Sequence, residues 1–407
     1  MFKKILTALD NSSYSDYGMD AAVAIAKAYG AEVTGCHVYA ARLHEGRFMD
    51  MEAGLPERYQ SEAVLKRQRD IHESLISKGL NIISDSYLDR FDKQCRDVHV
   101  SFNRKSREGK NFVEILNEAE EGGYDLVVMG GLGMGVVESS IIGSVCERVA
   151  RKVKRDILVV KNNTPIKGNI IVGIDGSPYS YWGLMVAIEF KKAFGCEIEA
   201  VAAFDPYFHQ VAFRNIADAL SEDAAKVFRF KEQEKLHDEI IDKGMAKLYE
   251  GYLDVAAKIA RARGVDIKTT LMAGKVYNEI LKAVQAGQPS LLIIGRLGFH
   301  KVPESDIGSN TENLLRMVPC NVFIAGRGMN PEDIIKAAPD SLPDIEWTEG
   351  ALARLEKVPP FAKGMAKKAV EDFARENGHS TITDSVMDNA VRKLLPPSAR
   401  RAMGIDG

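Results

Sequence analysis

Gly130-Gly131-Leu132-Gly133, then nine residues, then Gly143-Ser144, is the stretch on which the fold turns. Leu126-Val127-Val128-Met129 before it reads as a buried strand, and Val145-Cys146-Glu147-Arg148-Val149 after it opens a helix. A glycine-bracketed loop between a strand and a helix can aim backbone N–H groups at a phosphate. The pattern recurs as Gly295-Arg296-Leu297-Gly298, nine residues, Gly308-Ser309, after the strand Leu291-Leu292-Ile293-Ile294.

Working outward, the two copies keep one register. Asp10 to Asp175, Gly30 to Gly195, Gly130 to Gly295 and Gly143 to Gly308 are each 165 residues apart. This is a tandem duplication with no net insertion between the markers. Each copy opens with a short apolar strand that ends in aspartate: Ile5 to Asp10, then Ile170 to Asp175. Asn11-Ser12-Ser13 and Gly176-Ser177-Pro178 follow as helix starts, and Gly30 stops the first helix. Further strands are expected near Glu32–Tyr39, Val98–Asn103, Leu126–Met129 and Ile157–Val160, with helices between them. Short apolar strands alternating with helices mean parallel sheets covered on both faces. The fold class is therefore α/β, with two Rossmann-like five-stranded parallel sheets and a small all-α C-terminal domain. Expected boundaries are 1–163, 167–327, a proline-bearing linker 328–344, and 345–407. The tail reads as three helices, Thr348–Leu355, Pro360–Glu376 and Thr383–Leu394. Residues 40–96 are a long, mostly charged and helical insertion, within which Leu43–Tyr59 has no assignable periodicity. A counterpart of equal length is expected over about 205–264. Strand five of each copy is a sheet edge that must be covered or paired. Pairing the two edges makes an intramolecular pseudo-twofold dimer.

Composition narrows the function. The net charge of −3 argues against an electrostatic nucleic-acid binder. Five cysteines, with no CxxC and no zinc spacing, suit a reduced cytoplasmic protein. No apolar run reaches the length of a membrane span, and the N-terminus enters a strand without a signal-peptide core.

In an open parallel sheet the ligand lies beyond the strand C-termini, where strand order reverses. If strands one and four are neighbours, Asp10 and the glycine loop meet in one crevice. Asp10 could then accept a hydrogen bond from a base or ribose. Gly130 and Gly133 would let backbone approach phosphates. Gly143 and Ser144 would offer N–H and hydroxyl donors at a helix start. Plainer readings stand beside these. Ser144-Val-Cys-Glu147 and Ser309-Asn-Thr-Glu312 fit capping boxes, and Asp10 and Asp175 could simply start helices. His37 lies in an apolar strand as a core or hydrogen-bonded histidine. Arg296 and His300 read as solvated loop residues, with a phosphate contact as the alternative. GxxxxGK[ST], a GxGxxG after strand one and GxSxG are all absent from the sequence.

On these residues the chain resembles the universal stress protein family. The shared features are the strand-Asp openings, the doubled G-x2-G-x9-G-[ST] signature, Ser144-Val-Cys-Glu-Arg-Val149 and Ile157-Leu-Val-Val160, over about residues 1–326. The resemblance implies ATP, with or without Mg2+, in one or both repeats, and dimerisation, often through the last strand. By position it places Asp10 and Val38 at the adenine and ribose side. Met129, Gly130, Gly133, Gly143, Ser144 and Val145 fall at ribose and phosphates. The second-half matches are Asp175, Ala203, Ile294, Gly295, Gly298, Gly308, Ser309 and Asn310. The expected role is a stress-response binding or regulatory module. Slow ATP hydrolysis and a nucleotide-free scaffold are the alternatives. The tail resembles a small C-terminal domain found in light-independent protochlorophyllide reductase. The matching residues are Ile345-Glu-Trp347, Leu355-Glu-Lys-Val-Pro359, Phe361, Ala374-Arg-Glu-Asn-Gly378 and Thr381-Ile-Thr383. No cluster cysteines accompany it, so reductase chemistry is not carried over; residues 345–407 are a candidate site for a protein partner, a redox complex in the scaffold alternative.

Overall fold

A computed structural model describes residues 1–135, 137, 140–206, 242–299, 305–330, 346–356, 358, 360–377, 379 and 381–394. They form two compact units, Met1–Glu332 and Asp333–Gly407.

In the first repeat the elements are β1 Lys4–Leu9, α1 Ser13–Tyr29, β2 Glu32–Tyr39, α2 Ala41–Met51, α3 Glu62–Asp97, β3 Phe102–Glu108, α4 Asn111–Glu121, β4 Leu126–Gly130, α5 Ser144–Lys152 and β5 Asp156–Val160. The second repeat has β6 Asn169–Gly173, α6 Pro178–Phe194, β7 Glu197–Phe204, α7 Asp242–Ala262, β8 Lys268–Ala273, α8 Val276–Gly287, β9 Leu291–Gly295, α9 Ser309–Met317 and β10 Asn321–Ala325. The long α1 and α6 start alike: Ser12 and Ser177 accept from the N–H three residues on. Both stop at a left-handed glycine, Gly30 at φ 64° and Gly195 at φ 71°. The central strands are apolar on both faces, as a doubly covered parallel sheet requires.

The two expected five-stranded sheets are continuous. The order is β3-β2-β1-β4-β5-β10-β9-β6-β7-β8. Every pairing is parallel except β5 with β10, where Val159, Leu158 and Ile157 face Val322, Phe323 and Ile324. The edge that each repeat would expose is thus buried against the other. Side chains of both repeats fill one apolar core, with Val149 and Val153 beside Leu314 and Val318. On the opposite face Phe2 of the first repeat meets Phe190 and Phe323 of the second.

Polar contacts across the join obey the 165-residue register. Arg151 pairs with Glu312 at 2.7 Å, and the equivalent Arg316 pairs with Glu147. Each carboxylate and arginine keeps some contact with solvent, so these pairs fix orientation more than stability. Helix C-termini across the join are capped by cations from non-equivalent positions. Arg296 donates to the carbonyls of Ala150, Arg151 and Val153 at the end of α5. Lys161 Nζ donates to Val318 O at the end of α9, 2.7 Å away. Where one repeat carries the cation, the other has glycine: Gly131 matches Arg296, and Gly326 matches Lys161. Arg296 is therefore buried, and the expectation of a solvated loop residue is corrected. The helix end that it satisfies belongs to the other repeat, which its own neighbours in sequence do not reveal.

Burial pulls the Lys161 ammonium down to about 8 from 10.5. The folded chain then holds this proton less tightly than the unfolded chain. Lys161 penalises folding below pH 8, and the penalty is lifted as pH rises toward 10.5. We expect the stability difference between the natural chain and Lys161→Met, from urea melts, to climb over that window. Cys146 and Cys320, pushed up to about 12 and about 11 by burial, titrate above that window in the folded chain, and removing the Lys161 charge, which lowers both, moves them further from it. A difference flat with pH would contradict the half-buried placement of Lys161.

Three local expectations are revised. The third strand lies at Phe102–Glu108, not near 98–103, because α3 runs to Asp97 and the chain turns through His99 at φ 61°. It is a charged edge strand, so no apolar pattern marks it. Part of the unassigned Leu43–Tyr59 lies in α2. The N-caps of α5 and α9 are Gly143 and Gly308, and no side chain caps either helix, so Ser144 and Ser309 do not form capping boxes.

The second unit has α10 Glu349–Glu356, α11 Pro360–Glu376 and α12 Asp384–Leu394. The helical expectation gains a two-residue parallel ladder, β11 Glu346–Trp347 with β12 Thr381–Ile382. Ala351, Leu355, Val370, Phe373, Ile382 and Val386 are among its core residues. The linker assignment from 331 to 344, most of the expected second insertion, and His300 lie outside the described residues. No helix among the described residues is long and apolar enough to cross a membrane.

Candidate functional site

β1 pairs with β2 on one side and with β4 on the other, so the strand order of the first repeat reverses between β1 and β4. A cavity of about 720 Å³ opens there. Asp10, Val38, Met129, Gly130, Gly133, Gly143, Ser144 and Val145 all line it. The equivalent crevice of the second repeat holds about 460 Å³, and Asp175, Ala203, Ile294, Gly295, Gly298, Gly308, Ser309 and Asn310 line it. The duplicated motif therefore yields two crevices of different size. Both fall in the range of small-molecule sites, roughly 300–1,000 Å³.

Asp10 both shapes the helix start and faces the cavity. Its Oδ1 accepts from the Ser12 N–H at 3.1 Å and from the Ser12 hydroxyl at 2.6 Å, and Ser12 caps α1. Asp175 accepts from Ser177 N–H at 3.0 Å and from Phe299 N–H at 3.2 Å. Neither aspartate is itself the helix cap.

The glycines have separate reasons. A Cβ on Gly130 would lie 2.8 Å from Tyr14 Cβ and 2.9 Å from the Tyr14 carbonyl carbon. That glycine lets α1 pack on the end of β4, a packing reason beside the phosphate approach expected of it. A Cβ on Gly133 would lie 2.5 Å from Asp10 Oδ2. Gly133 thus brings the loop down onto the carboxylate. Gly143 has φ −72°, which any residue can adopt, so no left-handed angle is required of it. Its N–H is spent on Gly131 O at 2.7 Å, closing the loop on itself. The first intrahelical bond of α5 runs from Glu147 N to Gly143 O. The N–H groups of Ser144, Val145 and Cys146 therefore have no intrahelical acceptor and sit at the positive end of the helix. These three residues line the cavity. Gly308 N to Arg296 O and Glu312 N to Gly308 O repeat the arrangement in α9.

The charged insertion supplies wall residues that sequence reasoning missed. Leu80, Ile83 and Tyr87 of α3 line the first cavity, and Tyr249 of α7 lines the second. His37 is buried as expected; its Nδ1 lies 2.8 Å from Ser84 Oγ on α3, and its ring stands edge-on to Tyr87. Tyr249 and Phe299 narrow the second crevice, and Tyr252 packs against both. A Cβ on Gly176 would meet the Tyr252 ring at 2.6 Å. No group of three or more His, Cys, Asp or Glu side chains that could hold a metal occurs among the described residues.

Comparisons with known proteins bear on the family and the fold. Residues 347–390 match the description "Proto-chlorophyllide reductase 57 kD subunit". A 60-residue stretch is 40% identical to part of a light-independent protochlorophyllide reductase of Rippkaea orientalis, spanning 15% of this chain and 12% of that one. Universal stress protein YxiE of Bacillus subtilis is 28% identical over 161 residues, which is 40% of this chain and all of that one. A universal stress protein of Methanocaldococcus jannaschii is 30% identical over 163 residues, 40% of this chain and 83% of that one. The crystal structure of a universal stress protein from Archaeoglobus fulgidus superposes with a TM-score of 0.51 at 16% identity, covering 80% of this chain and 98% of that one. The universal stress protein description matches residues 1–161 and again 168–326, and the chain belongs to that family.

Proposed function

We propose that the first repeat binds an adenine nucleotide, ATP, and that occupancy makes the chain a stress-response regulatory module. One observation carries the reading. Ser144, Val145 and Cys146, whose N–H groups have no intrahelical acceptor, line a single cavity with the glycine loop and Asp10 at the β1/β4 switch point. A triphosphate would meet the N–H groups of Ser144, Val145 and Cys146 and the positive end of α5. No lysine or arginine lines this cavity among the described residues, so backbone and helix dipole would hold the charge. A magnesium ion would arrive on the triphosphate, since hard cations of this kind bind through substrate phosphates. Val38 and the α3 side chains would hold the base. The second crevice is smaller and walled by the aromatic residues Tyr249 and Phe299, which favours the first as the nucleotide site.

Purified full-length protein should release an adenine nucleotide on denaturation, read by mass spectrometry. It should then rebind ATP with one site per chain in calorimetry. Absence of both the released nucleotide and ATP binding would refute the reading.

A further inference from the structure

His37 is unused by the features that define the nucleotide site, yet it lines the first cavity. Its environment fixes which of its nitrogens carries the proton. Ser84 Oγ lies 2.8 Å from Leu80 O and 2.8 Å from His37 Nδ1. A hydroxyl has one hydrogen, and the carbonyl can only accept. Both contacts are satisfied when Ser84 donates to Leu80 and Nδ1–H donates to Ser84. Nε2 is then the bare, accepting nitrogen. Nε2 has no hydrogen-bond partner among the described residues. Nor is it among their sealed, unsatisfied polar atoms, which are Thr7 Oγ1 and Tyr29 Oη. Its accessible edge therefore belongs to the cavity that His37 lines. Burial, partly offset by the nearby Asp10 carboxylate, lowers the tendency of the ring to protonate.

The sheet supplies the scale. β2 lies two strand spacings from β4, about 10 Å. A ligand whose phosphates meet the glycine loop and α5 would extend its base toward β2. The wall there is Val38, Leu80, Ile83 and Tyr87, apolar enough to flank a flat ring.

We propose that His37 Nε2 accepts a hydrogen bond from the exocyclic amino group of the purine, making His37 a specificity-determining residue of the first site. The proposal rests on the nucleotide reading above. It also separates the repeats, because the residue equivalent to His37 is Ala202.

The test compares ATP with purine riboside 5′-triphosphate, which lacks only the 6-amino group, by calorimetry on the full chain. The natural protein should prefer ATP by about tenfold, the scale of one neutral hydrogen bond. His37→Leu should bind both ligands equally. Ser84→Ala removes the acceptor for Nδ1–H and frees the tautomer; it should cut the preference to about threefold or less. Ser84→Ala also serves if His37→Leu fails to fold. Equal binding of the two ligands by the natural protein would overturn the proposal and leave the nucleotide reading standing. A tenfold preference that survives in His37→Leu, or unchanged in folded Ser84→Ala, would also overturn it. Binding of neither ligand would remove the nucleotide reading itself.

Discussion

Asp156→Ala should lose about 3 kcal/mol of stability, a large part of what holds an ordinary domain together. Asp156 is fully buried at the start of β5. Its Oδ1 accepts from Gly326 N–H at 2.8 Å, and its Oδ2 accepts from Trp182 Nε1 at 2.9 Å. Arg327 Nε and an Nη also donate to Oδ2, at 2.9 and 2.6 Å. The chain leaving β10 is thus fastened to the first residue of β5. The second repeat returns the arrangement with Asn321 at the start of β10. That side chain accepts from Lys161 N–H at 2.8 Å and donates to Thr164 O at 3.1 Å. Each of these two strands clamps the exit of the other. Alanine at 156 strands several donors, although Arg327 can still reach water, so the cost stays below that of a wholly buried pair. Asp156→Asn keeps an acceptor and should lose about 1–2 kcal/mol. Urea unfolding measures both, and an alanine variant within about 0.5 kcal/mol of the natural chain would mean that the clamp holds nothing.

The second large effect concerns the ligand. Gly143→Val should weaken ATP binding at least tenfold, about 1.4 kcal/mol, with a melting midpoint only about 2–4 °C lower. The backbone angles there are compatible with valine. A Cβ would lie 3.3 Å from Gly131 O and 3.5 Å from Leu132 Cα. The added side chain therefore presses on the glycine loop rather than on the core. It shifts the loop and the first turn of α5, whose N–H groups the phosphates are proposed to use. Calorimetry with thermal melts separates the two effects. Full affinity in a folded variant would show that the loop between Gly131 and Gly143 does not shape the site.

Much of this architecture was legible because its signals are local. Fully apolar four-residue strands, aspartates at strand ends and glycines at fixed offsets each follow from what one turn of chain needs. The doubled register let one repeat check the other. Pairing of β5 with β10 was legible too, since an uncovered apolar edge is costly. Other features were hidden because their causes lie elsewhere in space. β3 carries charged side chains and has no period to read. Arg296 is buried by helix α5, whose residues are some 145 positions away in sequence. Ser144 looked like a cap because Ser-x-x-Glu often is one, but Gly143 occupies that position. The far wall of the cavity came from α3, a 36-residue helix of which only Ser84, Leu88, Phe91 and Cys95 are buried. Little in such a charged sequence marks Leu80, Ile83 or Tyr87 as facing a ligand.

The central claim is that the orphan N–H groups of α5 hold the phosphates of a nucleotide in the first repeat. A crystal structure of the full chain grown with ATP tests it most directly. Density for the phosphates is expected against the N–H groups of Ser144, Val145 and Cys146, with the base beside Val38. Nucleotide bound only in the second crevice, or with its phosphates away from the start of α5, would contradict it.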